Sequence, residues 1–183
     1  MKLQHFFSIL SFAFLTHNAA YAQHLDLKKT KITASFKQMN VAVEAPFKQL
    51  QGTLQFDANK PENSKAQFEI NIASFDLGDP QYNQEVLKKE WFNAAQFPKA
   101  IFALSSLKPT GANKFLATGQ LTIKGIKQNV SFTLTNKKEA TGLVFEGTLP
   151  IKRLSFNIGE GEWKDTSMVA DEVLIKFYVV TTP

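Results

Sequence analysis

From residue 31 onward the chain alternates apolar and polar side chains for most of its length. Ile32, Ala34 and Phe36 alternate with Thr33, Ser35 and Lys37; Leu50, Leu54 and Phe56 with Gln51, Thr53 and Gln55; Phe68, Ile70 and Ile72 with Gln67, Glu69 and Asn71. The pattern is cleanest where Val130, Phe132 and Leu134 alternate with Asn129, Ser131 and Thr133; Leu143, Phe145 and Leu149 extend it, and Val173, Ile175, Phe177 and Val179 close the chain. A period of two places one set of side chains on an apolar face and the other in water, as in a half-buried strand. Turn-forming clusters separate the runs: Asp57 to Pro61, Pro109 to Asn113, Lys124-Gly125 and Asn136 to Gly142. The alternation predicts eight strands over 31–38, 47–57, 65–74, 99–107, 114–123, 127–135, 142–153 and 172–180. One segment departs from it. Asn83 to Phe92 carries Val86, Leu87, Glu90 and Trp91 at three-to-four spacing, which predicts a short helix. An all-β domain of eight antiparallel strands with one short helix describes a closed up-and-down barrel or a sandwich.

The beginning of the chain follows another rule. Met1-Lys2 is positive, Phe6 to Leu15 is an apolar run, and Ala20-Tyr21-Ala22 is a small-x-small site. This is the layout of a cleavable signal peptide over residues 1–22, which leaves one domain over 23–183 and places it in an exported compartment, most simply a bacterial periplasm. The apolar run is too short to cross a bilayer. Beyond the leader, composition narrows the chemistry. The chain has no cysteine, so disulfides, thiolate metal sites and a Cys nucleophile are out of reach. Of its three histidines, His5 and His17 fall in the leader, and only His24 remains. A Ser-His-Asp triad, a His general base or a His-based zinc site inside the fold is excluded by counting. The sequence predicts no catalysis, no bound metal and no cofactor beyond a lipid-like ligand.

Seventeen phenylalanines occur, thirteen of them after the leader. Phe suits a pleated, half-buried surface, so a plain β core explains part of the excess. An apolar cavity lined by rings explains it equally, and an eight-stranded barrel has room for one small ligand. The ligand such a cavity suits is a long apolar chain, because burial is worth roughly 0.8 kcal/mol per methylene. The inward positions Phe36, Phe56, Phe68, Ile70, Phe102, Phe132, Leu134, Phe145 and Phe177 are the candidate lining, with Trp91 and Phe92 on the predicted helix capping one end. Tyr82, Glu160 and Glu162 are candidates for a polar rim around a head group.

The run Glu160-Gly-Glu162-Trp-Lys-Asp165 is the most enzyme-like feature. In an extended chain its two glutamates share a side, as an acid/base pair or a pair of hard-cation ligands would. A solvated loop with Lys164 as counter-charge explains it as well. Lysines are spread thinly and there is one arginine, the usual reader of bases and phosphates, so nucleic-acid binding is not expected. A modest attraction to anionic membrane surfaces remains.

Five segments, in order, resemble the YceI-like family. They are Phe36-Lys-Gln-Met-Asn-Val41; Gly52-x-Leu-x-Phe-Asp57 with Pro61 and Ser64; a central block of Gly78-Asp79, Tyr82-Asn83, Glu85, Lys88 to Asn93, Phe97-Pro98 and Phe102; Gly119-x-Leu-Thr-Ile-Lys-Gly-Ile126 with Val130; and Phe156-x-Ile-Gly-x-Gly-Glu-Trp-x-Asp165 followed by Val169 to Val173. The resemblance spans nearly all of the chain after the leader. It implies a lipocalin-like, eight-stranded antiparallel barrel in the periplasm that holds a polyisoprenoid of quinone or prenyl-lipid type as a carrier without catalysis. A transient contact with a membrane surface or a membrane redox protein, and a homodimer, are the further partners considered. The alternative is a protein-interaction module that docks a membrane redox partner through the 159–165 loop. Many members carry His where this chain has Gln38, and Arg-Asp with a following His where it has Tyr82-Asn83 and Glu85, so head-group contacts made by those residues elsewhere do not carry over.

Overall fold

The computed structural model describes residues 24–140 and 142–182; the leader assigned to 1–22 lies outside them. Ten strands occur in chain order: β1 (His24–Leu25), β2 (Lys31–Gln38), β3 (Val41–Phe47), β4 (Leu50–Gln55), β5 (Lys65–Asn71), β6 (Lys99–Gly111), β7 (Lys114–Ile123), β8 (Ile126–Glu139), β9 (Gly142–Lys152) and β10 (Glu172–Thr182). Among the described residues there is one α-helix, α1 (Pro80–Glu85), between β5 and β6. All pairings are antiparallel, and the strands follow the order β3-β2-β10-β9-β8-β7-β6-β5-β4, with β1 added beside the end of β10.

The ends of that order, β3 and β4, are consecutive in the chain. They form one bent run whose first half pairs with β2 and whose second half pairs with β5. Counted this way the wall has eight members and closes into the lipocalin-like barrel. The corner is Lys48-Gln49, whose backbone N–H groups are taken by Ser74: Lys48 N donates to its carbonyl (3.1 Å) and Gln49 N to its Oγ (3.0 Å). Phe47 stacks on Phe75 at 4.6 Å, and Asp76 N donates to Pro46 O, so the 72–76 segment covers the side of β3 that no strand pairs. The expected single strand over 47–57 is therefore corrected. It starts at Val41 and breaks at 48–49, because the barrel must turn a corner where the two ladders change partner. The β2–β3 turn that hides this strand is Met39-Asn40, with φ of 49° and 64°. Both central residues are left-handed, as in the tight hairpin turns usually built from Asn-Gly.

The helix is also displaced from its expected place over 83–92. Asp79 caps it, accepting from Gln81 N (2.7 Å) and Tyr82 N (3.3 Å), and Pro80 fills the first turn, where its missing N–H costs nothing. After Glu85 the backbone leaves the helix through linked turns: Phe92 N donates to Val86 O, and Ala94 N to Leu87 O. Trp91 and Phe92 thus stand on turns and not on the helix. Turns of this kind let Val86, Trp91 and Phe92 all face the barrel, which five- and six-residue helical spacings would not.

Two long connections, 72–98 and 153–171, cover one end of the barrel. Two cations hold them there. Lys124, at the β7–β8 turn, keeps its side chain only 7% exposed and donates to Lys89 O (2.8 Å), Asn157 O (2.6 Å) and Glu160 Oε2 (2.8 Å), tying both covers to the barrel. Glu90 O closes the seam by accepting from Gly159 N and Glu160 N. Arg153, 2% exposed, sends its guanidinium into the second cover. Nε donates to Ala170 O (3.1 Å), Nη1 to Ile158 O (2.8 Å) and Gly159 O (3.3 Å), and Nη2 to Trp163 O and Val169 O (both 2.7 Å). Its charge is held by carbonyl dipoles, with the guanidinium 5.8 Å from the centre of the Trp91 ring. Burial pushes its pKa down, and Asp171 opposes that shift. Gly159 has φ of 83°, and a β-carbon there would lie 2.1 Å from Arg153 Nη1.

The other end is filled by side chains. Leu54, Phe145 and Val179 pack with Leu25, Ala66 and Leu143, and Phe56 meets Phe115 (5.7 Å) and Phe145 (5.1 Å) edge to face.

Arg153→Met should lower the unfolding free energy by roughly 3 kcal/mol, since it strands several buried carbonyls. Arg153→Lys should recover only part of that loss, and urea midpoints measure both. Asp76 gives a pH-dependent counterpart. The Lys48 ammonium, Asn83 Nδ2 and Gly78 N hold its carboxyl well below the usual range. A depressed folded-state pKa contributes stability above the unfolded value and loses it as pH falls. The destabilisation by Asp76→Asn should be full at pH 7 and shrink progressively below about pH 3.9, checked by urea midpoints along that range.

Candidate functional site: an apolar cavity opening at one end

The inward faces of the barrel leave an internal cavity of about 500 Å³, within the roughly 300–1,000 Å³ usual for small-molecule sites. It is not a single packed interior because the rings lie along the wall. The β-carbon that Gly119 lacks would lie 2.6 Å from the Phe102 ring, and the one that Gly147 lacks would lie 2.6 Å from the Phe177 ring. Each ring occupies the place of a side chain on the neighbouring strand. Phe132 bridges the two, 5.6 Å from Phe102 and 5.3 Å from Phe177. A bulkier residue at either glycine would force the ring into the lumen.

Every one of the inward candidates borders this cavity: Phe36 from β2, Phe56 just after β4, Phe68 and Ile70 from β5, Phe102 from β6, Phe132 and Leu134 from β8, Phe145 from β9 and Phe177 from β10. Trp91 and Phe92 border it from the first cover. The polar lining is sparse: Gln38, Ser64, Tyr82, Glu85 and Arg153. Of these, Ser64 lies toward the filled end, accepting from Asp57 N (3.1 Å), and Arg153 is spent on carbonyls. Gln38, at the end of β2, and Tyr82 and Glu85, on α1, border the cavity toward the covered end. Gln38 and Tyr82 are exposed to solvent as well as to the cavity, Tyr82 by 59%, so the opening lies between α1 and the β2–β3 hairpin. Met39, Val41 and Met168 are exposed near the β2–β3 hairpin, and Met39 N donates to Met168 O (2.9 Å).

The acidic run behaves differently from the rim proposed for it. Glu160 and Glu162 do not border the cavity. Gly161–Lys164 is a 3-10 turn, so the two glutamates do not share a side as they would in an extended chain. Glu160 is drawn to Lys124, whose ammonium holds its carboxyl below the usual range, and Glu162 points to solvent. Trp163, between them and the barrel, turns inward and packs on Trp91 at 5.1 Å; its side chain borders the cavity. Trp91 Nε1 is buried and has no hydrogen-bond partner among the described residues.

Sequence reasoning passed over several lining residues. Val43 and Phe47 alternate with Glu44 and Pro46 on β3 in the same period-two pattern as the other strands, a legible signal that was missed although Asn40, a turn former, stands just before Val41. Phe75, Leu77 and Val169 lie on irregular cover segments, where no periodicity marks which way a side chain faces. The arrangement is suited to taking an apolar chain out of water, with hydrogen-bonding groups at its mouth.

Comparison with known proteins agrees with this geometry. The profile of the YceI-like domain matches residues 23–181. The crystal structure of Burkholderia cenocepacia BcnA is 49% identical and superposes with a TM-score of 0.84, over 86% of this chain and 99% of that one. A polyisoprenoid binding domain from Saccharophagus degradans, implicated in plant cell wall breakdown, shares the fold at 16% identity, with a TM-score of 0.68 over 88% of this chain and 98% of that one. A UPF0312 protein of Pseudomonas savastanoi pv. phaseolicola is 31% identical over 93 residues, 51% of this chain; the match spans about half, 48%, of that relative's length. With the profile match running almost from end to end of the barrel, the chain belongs to the YceI-like domain family.

Proposed function

We propose that this protein is a periplasmic carrier that holds a polyisoprenoid chain, of quinone or prenyl-lipid type, in its barrel without acting on it chemically. The observation that carries this reading is the apolar cavity, whose solvent-exposed lining residues, Gln38 and Tyr82, are both polar. Its wall offers an isoprenoid the same surroundings along the whole chain, and each buried methylene contributes ~0.8 kcal/mol. Gln38, Tyr82 and Glu85 are the polar lining residues assigned here to the ligand's head group. The fold neighbour described as a polyisoprenoid binding domain supports the same class of ligand. The sequence of residues 1–22 supports export.

The other reading, docking of a redox partner through the 159–165 loop, needs an exposed anchor there. The inward turn of Trp163 onto Trp91 weighs against it, since hot spots of protein interfaces are usually aromatic or Arg side chains offered to the partner.

Native mass spectrometry with organic extraction of protein from its own host should show a co-purifying species with prenyl mass spacing. A clean apo mass, persisting after incubation with prenyl lipids, would sink the proposal. Both tryptophans of the chain border the cavity, so titration with a short prenyl quinone should quench most of the intrinsic emission. Ile70→Trp, which fills the lumen from β5, should weaken that binding at least about tenfold, or ~1.4 kcal/mol. Its circular dichroism should stay that of the parent, and binding at parental affinity would show that the lumen is not the site.

A further inference from the structure

The charge of the barrel is divided between its two ends. The hairpins and loops at the filled end carry eight exposed lysines: Lys28 and Lys29 in the turn after β1, Lys60 and Lys65 around the β4–β5 loop, Lys108 and Lys114 on the β6–β7 hairpin, and Lys137 and Lys138 on the β8–β9 hairpin. Four carboxylates stand among them: Asp26, Asp57, Glu62 and Glu139. Two of the four are paired to lysines of the same end, Asp26 with Lys29 and Glu139 with Lys137, while Asp57 accepts from the backbone of its own loop. At the mouth end, including both covers and the strand ends that meet them, ten basic groups face ten acidic ones, and the four charges left on the wall cancel. The whole positive excess of residues 24–182 therefore sits at the end away from the mouth.

We propose that this filled end is a docking surface for an anionic phospholipid membrane, and that the barrel rests on it with its mouth facing away. The chemistry of the patch selects the partner. Its cations are all lysines, compact point charges without the fork that reads a single carboxylate or phosphate bidentately. They are spread over four separate turns around a barrel end about which, among the described residues, no aromatic side chain is exposed; the exposed large apolar residues near it are Leu27 and Leu116. A protein partner would be met by a compact apolar or arginine-rich centre. A distributed lysine field matches an extended sheet of negative head groups, which attracts each cation near it and is screened by salt. The asymmetry also orients the molecule, because the neutral mouth end gains nothing by turning toward the same surface.

The test uses the unloaded, full chain and is independent of what the cavity holds. Sedimentation is measured with vesicles of phosphatidylcholine alone and of phosphatidylcholine with one quarter phosphatidylglycerol, at about 0.05 M and about 0.5 M salt. Two variants of equal net charge are compared: Lys60, Lys108, Lys114 and Lys138 changed to Gln, and Lys37, Lys127, Lys152 and Lys164 at the mouth end changed to Gln. None of these eight side chains takes part in an ion pair among the described residues. The expected result is binding to the anionic vesicles at low salt only, lost at least tenfold in the first variant and changed less than threefold in the second. Equal loss in both variants, loss in the second alone, no loss in either, or no salt-sensitive vesicle binding at all would overturn the proposal. Retention on immobilised polyglutamate without retention on anionic vesicles would overturn it in favour of an acidic protein.

Discussion

The open end of this barrel is held by one buried arginine. A lumen with a mouth needs an irregular cover, and irregular backbone brings carbonyls that no strand satisfies. Arg153 meets five of them from one planar group. The same guanidinium lies over Trp91, and Trp163, whose carbonyl it binds, packs on the other tryptophan. The inner wall of the covered end thus follows from the position of a single cation, and a lysine in its place could not span carbonyls from 158 to 170. Lys124 has the complementary duty of fastening this cover to the first one.

The cavity exists by a different economy. The thirteen phenylalanines after the leader could have filled a barrel of this size, yet the rings that matter most lean over a glycine on the neighbouring strand. Gly119 under Phe102 and Gly147 under Phe177 let aromatic bulk form wall instead of plug. Only toward the filled end do the rings cross the lumen, where Phe56 meets Phe115 and Phe145. Along this part of the wall, glycines beneath phenylalanine rings leave ligand space where packed core would otherwise stand.

Much of this was legible in the sequence. Period-two alternation identified the inward face of β2, β5, β6 and β8 to β10, and Phe36, Phe68, Phe102, Phe132 and Phe177 all border the cavity. β3 escaped because its hairpin turn pairs Asn40, a usual turn former, with Met39, which rarely adopts positive φ, so the two-residue turn does not read as one. The helix was misplaced because Val86, Leu87 and Trp91 mimic helical spacing on what are successive turns; Asp79-Pro80, a cap and first-turn pair, was the truer signal. Glu160 and Glu162 looked paired only for an extended chain, and a 3-10 turn at Gly161 separates them. Arg153 gave no periodic signal, since its contacts are carbonyls that have no residue type. The division of charge between the two ends is invisible in a linear reading, because the lysines concerned come from four turns that only the closed barrel gathers.

The corner at Lys48-Gln49 has a mechanical meaning. Elsewhere around the ring each strand is laddered to both neighbours, so the girth is fixed by hydrogen-bond spacing. At this seam the ring is completed by the covalent chain: β3 and β4 each keep one unladdered side, covered by the 72–76 segment and by β1. Widening the barrel there breaks a few contacts to Ser74 and Phe75 and no strand ladder. The wall therefore has a built-in expansion joint, and it lies beside the cover that carries Tyr82 at the mouth.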